Sequence, residues 1–158
     1  MTALTAKVLT VSDGVFHGVR EDRSGAALQI LLQDNGWHVI EHLVVADGVE
    51  SVAAAIRSMS AGFAGLIVST GGTGFGPRDL TPEGTLLVLE RLAPGVAEAT
   101  RAVNPGPGRL SRGVAGTIGR SLVVNTPGSP KGCVECLGAI LDMVPHALSL
   151  MTGETTIH

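Results

Sequence analysis

Gly65-Leu-Ile-Val-Ser-Thr70 runs directly into Gly71-Gly-Thr-Gly-Phe-Gly-Pro-Arg-Asp79, and that loop into Leu80-Thr-Pro-Glu83. The first six residues have a continuous apolar centre, the pattern of a strand buried on both faces, as in a parallel sheet covered by helices. The next nine carry four glycines and a proline, which favour neither strand nor helix. Thr81-Pro82-Glu83 then reads as a helix start. Thr81 is placed to accept a free N–H, Pro82 occupies the first turn without losing a needed donor, and Glu83 lies at the positive end of the dipole. Strand, glycine-rich loop and helix together are the unit from which an α/β sheet is built.

The same unit recurs on either side. Lys7–Ser12 (KVLTVS) reads as a strand, followed by a polar stretch from Asp13 to Arg23 and a helix over 24–35, where Ala27, Leu28, Leu31 and Leu32 keep helical spacing. Gly36 stops it, Trp37–Val45 (WHVIEHLVV) is a second strand, and a helix over 49–61 follows Ala46-Asp47-Gly48. Downstream, helices are expected over 82–91 and over 92–103, with Pro94-Gly95 breaking the run between them, whereas Asn104–Gly108 (NPGPG) suits neither element. A hairpin-like turn at Gly119-Arg120 leads into a last strand, Ser121–Asn125 (SLVVN). Thr126-Pro-Gly-Ser-Pro130 repeats the earlier device, with Ser129 as N-cap and Pro130 at the first helical position of a helix to about Met143, and a final helix covers 145–151. The expected fold is one domain over 1–158, a three-layer α/β/α sandwich whose mostly parallel sheet has an antiparallel edge piece.

Composition narrows the function. A net charge of −3, from 11 Lys and Arg against 14 Asp and Glu, provides no field for a nucleic acid. No apolar run approaches the roughly 20 residues of a membrane helix, and residues 1–10 show no signal-peptide pattern, so a cytoplasmic protein is expected. Cys133 and Cys136 lack a second pair or a nearby His at zinc-ligand spacing and read as packing residues rather than a redox pair. With no Tyr, one Trp and three Phe against 22 Gly, recognition falls largely to backbone groups.

In open α/β sheets ligands bind outside the carboxyl ends of the strands, where this sequence places the loops 13–23, 46–48, 70–81 and 126–129. Successive glycines let backbone N–H groups approach an anion, and helix N-termini behind them add donors. Neither standard phosphate motif is present: Gly71 to Gly76 has the P-loop spacing but continues Pro77-Arg78, and no G-x-G-x-x-G follows a strand. Asp47 and Asp79 each follow an apolar strand closely, which would bring both carboxylates to one rim and suits magnesium; either one alone more often caps a turn. Arg78, Arg112 and Lys131 are the cations available to offset negative charge, although a solvated surface position is the commoner fate of each. His17, His38, His42, His146 and His158 show no metal-ligand spacing and no Ser sits in a nucleophile elbow, so the chemistry expected is positioning plus electrostatic stabilisation.

Ser69-Thr-Gly-Gly-Thr-Gly74 with Pro77-Arg-Asp-Leu-Thr-Pro-Glu83 closely resembles the hallmark loop of the Mog/MoaB family. The resemblance extends through Val11-Ser12-Asp13, Asp22-Arg23-Ser24-Gly25, Val45-Ala46-Asp47, Leu110-Ser111-Arg112-Gly113 and Asn125–Lys131. It implies a three-layer α/β fold, a homotrimer, and binding of molybdopterin with ATP and magnesium for adenylylation of the pterin phosphate, with a molybdenum-insertion protein downstream. By similarity, Asp47 and Asp79 would be the acids of the transfer and the metal ligands. Gly71, Gly72, Thr73 and Gly74 would cradle the nucleotide, with Gly128, Ser129 and Pro130 on the other side and Asp13, Ser111 and Arg112 lining the same cleft. Where the family often has Arg after Ser-Asp, this chain has Gly14, leaving that phosphate contact absent or supplied by Arg20 or Arg23. Two other readings stay open: a pterin-binding paralogue without transferase activity, disfavoured by retention of both acids, and a scaffold module, disfavoured because the chain ends soon after its last helix.

Overall fold

The computed structural model describes residues 3–154. Along the chain lie β1 (Thr5–Val11), α1 (Asp13–Phe16), α2 (Arg23–Asp34), β2 (His38–Val45), α3 (Val49–Ser60), β3 (Ala64–Thr70) and α4 (Thr81–Leu86). Then come β4 (Arg91–Leu92), α5 (Pro94–Ala102), α6 (Pro105–Gly108), β5 (Ala115–Ile118), β6 (Arg120–Thr126), α7 (Pro130–Gly138) and α8 (Val144–Met151). The six strands form one sheet in the order β2-β1-β3-β6-β5-β4. β2, β1, β3 and β6 pair in parallel, while β5 runs antiparallel to both β6 and β4.

Apolar runs in β1, β3 and β6 are explained by burial on both sides. Val8, Leu66, Val68, Leu122 and Val124 face a core shared with Leu28 and Leu32 of α2, Leu137 of α7 and Val144 of α8. Leu9, Ile67 and Val123 face the opposite core with Val52, Ile56 and Met59 of α3. Helices on both faces make the three layers. The chain leaves β1 toward β2 on one side and returns to β3 on the other, so the order reverses between β1 and β3, the place where such sheets leave a crevice. Among the described residues no helix is long and apolar enough to cross a membrane.

Four local expectations need correction. The helix expected over 82–91 ends at Leu86, because the Glu90 and Ala93 amides donate to the Thr117 and Ala115 carbonyls and draw Arg91–Leu92 into the sheet as β4. Asn104–Gly108 contains one helical turn, α6: its prolines fall where a helix has no use for their missing N–H, and the Gly108 amide closes the turn on the Asn104 carbonyl. Asp13–Phe16, expected as loop, is a helical turn capped by the Ser12 hydroxyl. Thr81 is not the cap of α4 but its first residue, its hydroxyl donating instead to the Gly71 carbonyl at 2.9 Å. The cap expected at Ser129 is present, accepting from the Gly132 amide at 3.0 Å with Pro130 opening α7. His158 lies outside the described residues.

Candidate active site

The carboxyl ends of β1 and β2 are tied together by backbone and carboxylate. Ser12 donates its amide to the Val45 carbonyl at 3.0 Å. One residue on, the Asp13 amide donates to Oδ2 of Asp47 at 2.9 Å, and the Asp47 amide donates to Oδ1 of Asp13 at 3.1 Å. Arg78 closes this corner from the glycine-rich loop, donating twice to Asp13, at 2.6 and 3.1 Å, and once to the Asp47 carbonyl at 2.9 Å. The electrostatic outcome separates the two acids: the Arg78 guanidinium holds Asp13 below the ordinary carboxylate range, whereas burial pushes Asp47 above it.

Glycine is required where β3 meets β1 and β6. Gly71 has φ +99°, and a Cβ there would stand 2.2 Å from the Val11 carbonyl oxygen. Gly72, at φ +69°, leaves a Cβ only 2.2 Å from Oγ1 of Thr81 and 3.2 Å from Oδ1 of Asp47. The Gly71 amide donates to the Thr126 carbonyl and the Thr70 hydroxyl to the Pro127 carbonyl, so the loops after β3 and β6 lie against each other, with Gly128 packed on the Gly71 backbone.

Beyond this cradle, Arg112 fastens the rest of the loop. Its amide donates to the Thr73 carbonyl at 2.9 Å, Nε to the Gly74 carbonyl at 2.8 Å and one Nη to the Asp79 carbonyl at 2.6 Å, while the other Nη pairs with Glu83 and the guanidinium lies over Phe75. Three of the five N–H donors of this guanidinium, expected beside the ligand, are placed on protein groups. Asp79 is held in turn by the Gly76 amide, which donates to Oδ2 at 2.9 Å. Lys131 extends into solvent, 85% exposed, near Glu135 on the next turn.

Two clefts open along this rim, of 590 and 650 Å³, and both are lined by Gly72, Asp79 and Gly128. The smaller adds Asp47, Gly71 and Pro130 from the expected site, together with Arg20, Asp22 and Arg23. The larger adds Thr73, Gly74, Ser111 and Ser129 and takes apolar lining from Pro107 and Leu110. Asp13 and Arg112 line neither cleft; Asp13 is hydrogen-bonded to Asp47 and Arg112 to the glycine-rich loop. Asp47 and Asp79 each keep Oδ2 on a backbone amide and have Oδ1 without a hydrogen-bond partner among the described residues.

A further cluster escapes the sequence reading. Asp22 caps α2 through the Gly25 amide at 2.9 Å, accepts from the Thr10 hydroxyl at 2.7 Å, and lies 2.9 Å from Nε2 of His42 on β2. The Asp-x-x-Gly spacing at 22–25 was the available signal: a Cβ at Gly25 would stand 2.4 Å from the Asp22 carboxylate.

Comparison with known proteins agrees with this architecture. A family described as a probable molybdopterin binding domain matches residues 7–146. A protein of Helicobacter pylori named molybdopterin adenylyltransferase is 35% identical over 160 residues, spanning 98% of this chain and 91% of that protein. The solved MoaB of Thermus thermophilus superposes with a TM-score of 0.88 at 42% identity, covering 95% of this chain and 97% of the other. A molybdopterin biosynthesis protein of Mycobacterium abscessus gives a TM-score of 0.90 at 32% identity, covering 96% and 98%. Identity at this level over essentially the whole domain, with a match to the family along most of the chain, makes this protein a member of the molybdopterin-binding domain family to which MoaB and Mog belong.

Proposed function

We propose that this protein transfers an adenylyl group from ATP to the terminal phosphate of molybdopterin, releasing pyrophosphate. In that reaction an oxygen of the pterin phosphate forms a bond to the α-phosphorus of ATP as the bond from that phosphorus to the β-phosphate oxygen breaks. The carrying observation is that Asp47 and Asp79 line one cleft with the Gly71-Gly72 cradle, each with Oδ1 left without a protein partner among the described residues. Two adjoining clefts sharing Gly72, Asp79 and Gly128 provide room for two substrates meeting at a common edge.

The donor chemistry suits magnesium. No group of three or more His, Cys, Asp or Glu that could cage a metal occurs among the described residues, but magnesium needs only one or two carboxylates alongside water and substrate phosphate oxygens. Oδ1 of Asp47 and of Asp79 would hold it, and the ion would offset the charge of the reacting phosphates. The chain's own contribution is positioning. Asp13 and Arg78 fix Asp47, Arg112 and Gly76 fix Asp79, and the glycines let a ligand approach the backbone. The same reading takes the protein as a cytoplasmic homotrimer that hands its product to a molybdenum-insertion protein, and its two unbridged cysteines suit a reducing compartment.

The test is pyrophosphate release by the purified protein with ATP, magnesium and molybdopterin, beside Asp47→Ala and Asp79→Ala. Release that needs the pterin and disappears in both variants supports the transferase. Tight pterin binding without release moves the protein to the binding-only reading. Light scattering that finds a stable monomer at micromolar concentration removes the trimer.

A further inference from the structure

We infer that Arg20 is the cation that meets the phosphate of the ligand in the smaller cleft, on a seat made by Gly14; the ligand's identity as a nucleotide or pterin phosphate rests on the function proposed above.

Usable positive charge is scarce along this rim. Of the cations the sequence offered to offset negative charge, Arg78 and Arg112 are engaged with protein groups, leaving Arg20 and Arg23 as the alternatives it named for the phosphate. Arg78 is paired with Asp13, Arg112 with Glu83 and two loop carbonyls, and Arg101 donates to the Gly113 carbonyl at 2.6 Å. Lys131 lines only the larger cleft. The smaller cleft is lined by the carboxylates of Glu21, Asp22, Asp47 and Asp79 and by two cations, Arg20 and Arg23. Four carboxylates against two cations leave the lining net negative, and one divalent ion would only cancel that balance, so an uncommitted arginine has most to contribute to an entering anion. Arg23 lies 3.7 Å from Glu21, both side chains about four-fifths exposed. Arg20 has no ion-pair partner among the described residues.

Position separates Arg20 from an ordinary surface arginine. The Val19 and Arg20 amides both donate to the Gly14 carbonyl, at 2.9 and 3.1 Å, folding the end of the loop back onto α1. The Arg20 side chain then lies along Gly14: its Cβ, Nε and Cζ stand 3.3, 3.4 and 3.6 Å from the point a Cβ of residue 14 would occupy. Glycine at 14 therefore lets the guanidinium rest against the backbone beside Asp13, whose own charge is already met by Arg78. A side chain lying in place before the ligand arrives loses less rotamer freedom on binding. Phosphate is the chemistry a guanidinium fork matches in two-point contact.

The experiment measures equilibrium binding of inorganic pyrophosphate and of MgATP to the wild type, Arg20→Ala, Arg20→Lys, Gly14→Ala and Arg57→Ala, the last an exposed arginine on α3 as control. Pterin-dependent pyrophosphate release is followed in parallel. The expected result is that Arg20→Ala weakens binding of at least one probe by about tenfold to a hundredfold. Arg20→Lys should recover part of the loss, Gly14→Ala should weaken binding severalfold with the arginine retained, and Arg57→Ala should match the wild type. Equal binding by wild type and Arg20→Ala overturns the assignment, as does wild type that binds neither probe. Arg20-dependent binding without pterin-dependent release sinks the transferase but leaves Arg20 its anion. Intact release with binding indifferent to Arg20 sinks this inference alone.

Discussion

Asp13 and Asp47 each accept a hydrogen bond from the other's backbone amide, at 3.1 and 2.9 Å, so two acids that would repel are joined through their main chains. Arg78 makes the arrangement tolerable by placing its guanidinium on Asp13 and on the Asp47 carbonyl. The acid facing the cleft is thus held by one that does not.

Removing Arg78 should have a pH signature. Asp13 is lowered first of all by its hydrogen bond to Arg78, so the stability this pairing supplies is present above the ordinary carboxylate value of 3.8 and is lost as pH falls through the lower folded value. Asp47 is raised, chiefly by burial, and has the opposite sign: its stability is present below 3.8 and fades as pH rises through its folded value. The stability gap between wild type and Arg78→Ala should be full at neutral pH and shrink below pH 3.8, read from urea unfolding at several pH values. A gap independent of pH would show that Arg78 acts by packing alone.

Gly71→Ala should destabilise the domain by about 2 to 4 kcal/mol, combining a left-handed backbone with a clash against a carbonyl oxygen that cannot rotate away. Thermal or denaturant unfolding measures it, and a loss under about 0.5 kcal/mol, typical of an ordinary surface substitution, would mean β1 and β3 are not packed this closely.

Arg112→Lys keeps the charge but loses the fork that joins the Gly74 and Asp79 carbonyls to Glu83. Asp79 should then be less well placed, and kcat of the proposed adenylyl transfer should fall by about tenfold to a hundredfold with KM for ATP changed far less. A rise in KM at constant kcat would instead assign Arg112 to direct phosphate binding.

Cys133 should resist alkylation in the folded protein. Burial pushes its thiol up to about 11, leaving roughly three thiolates in ten thousand at pH 7.5. Cys136, raised by burial and by neighbouring Glu135, should also react slowly. Mass spectrometry after iodoacetamide treatment should find Cys133 unmodified until denaturant is added. Rapid labelling would revive the redox reading.

The parallel part of the sheet was legible in the sequence because β1, β3 and β6 are apolar at successive positions, a pattern that only two-sided burial rewards. The glycine loop and both rim acids were legible for a related reason, since φ values such as those of Gly71 and Gly72 leave a compositional mark. What escaped was fixed by partners distant in the chain. Thr81 looks like a helix cap until Gly71 bends back within reach of its hydroxyl. β4 is a strand only because β5 presents carbonyls to it. Arg78 and Arg112 resemble free cations in a string of letters, and their commitments span 65 and 29 residues to Asp13 and Glu83.

The smaller cleft draws its walls from the loops that follow β1, β2, β3 and β6, and the larger from those after β3 and β6 with α5, α6 and α7, the shared edge lying at Gly72, Asp79 and Gly128. No contiguous stretch of the chain carries the rim, so it forms only once four strands have closed in register. An occupant would bridge those strands from outside, and amide exchange in β1, β3 and β6 should slow together when it binds, because opening any one of them would first require its release.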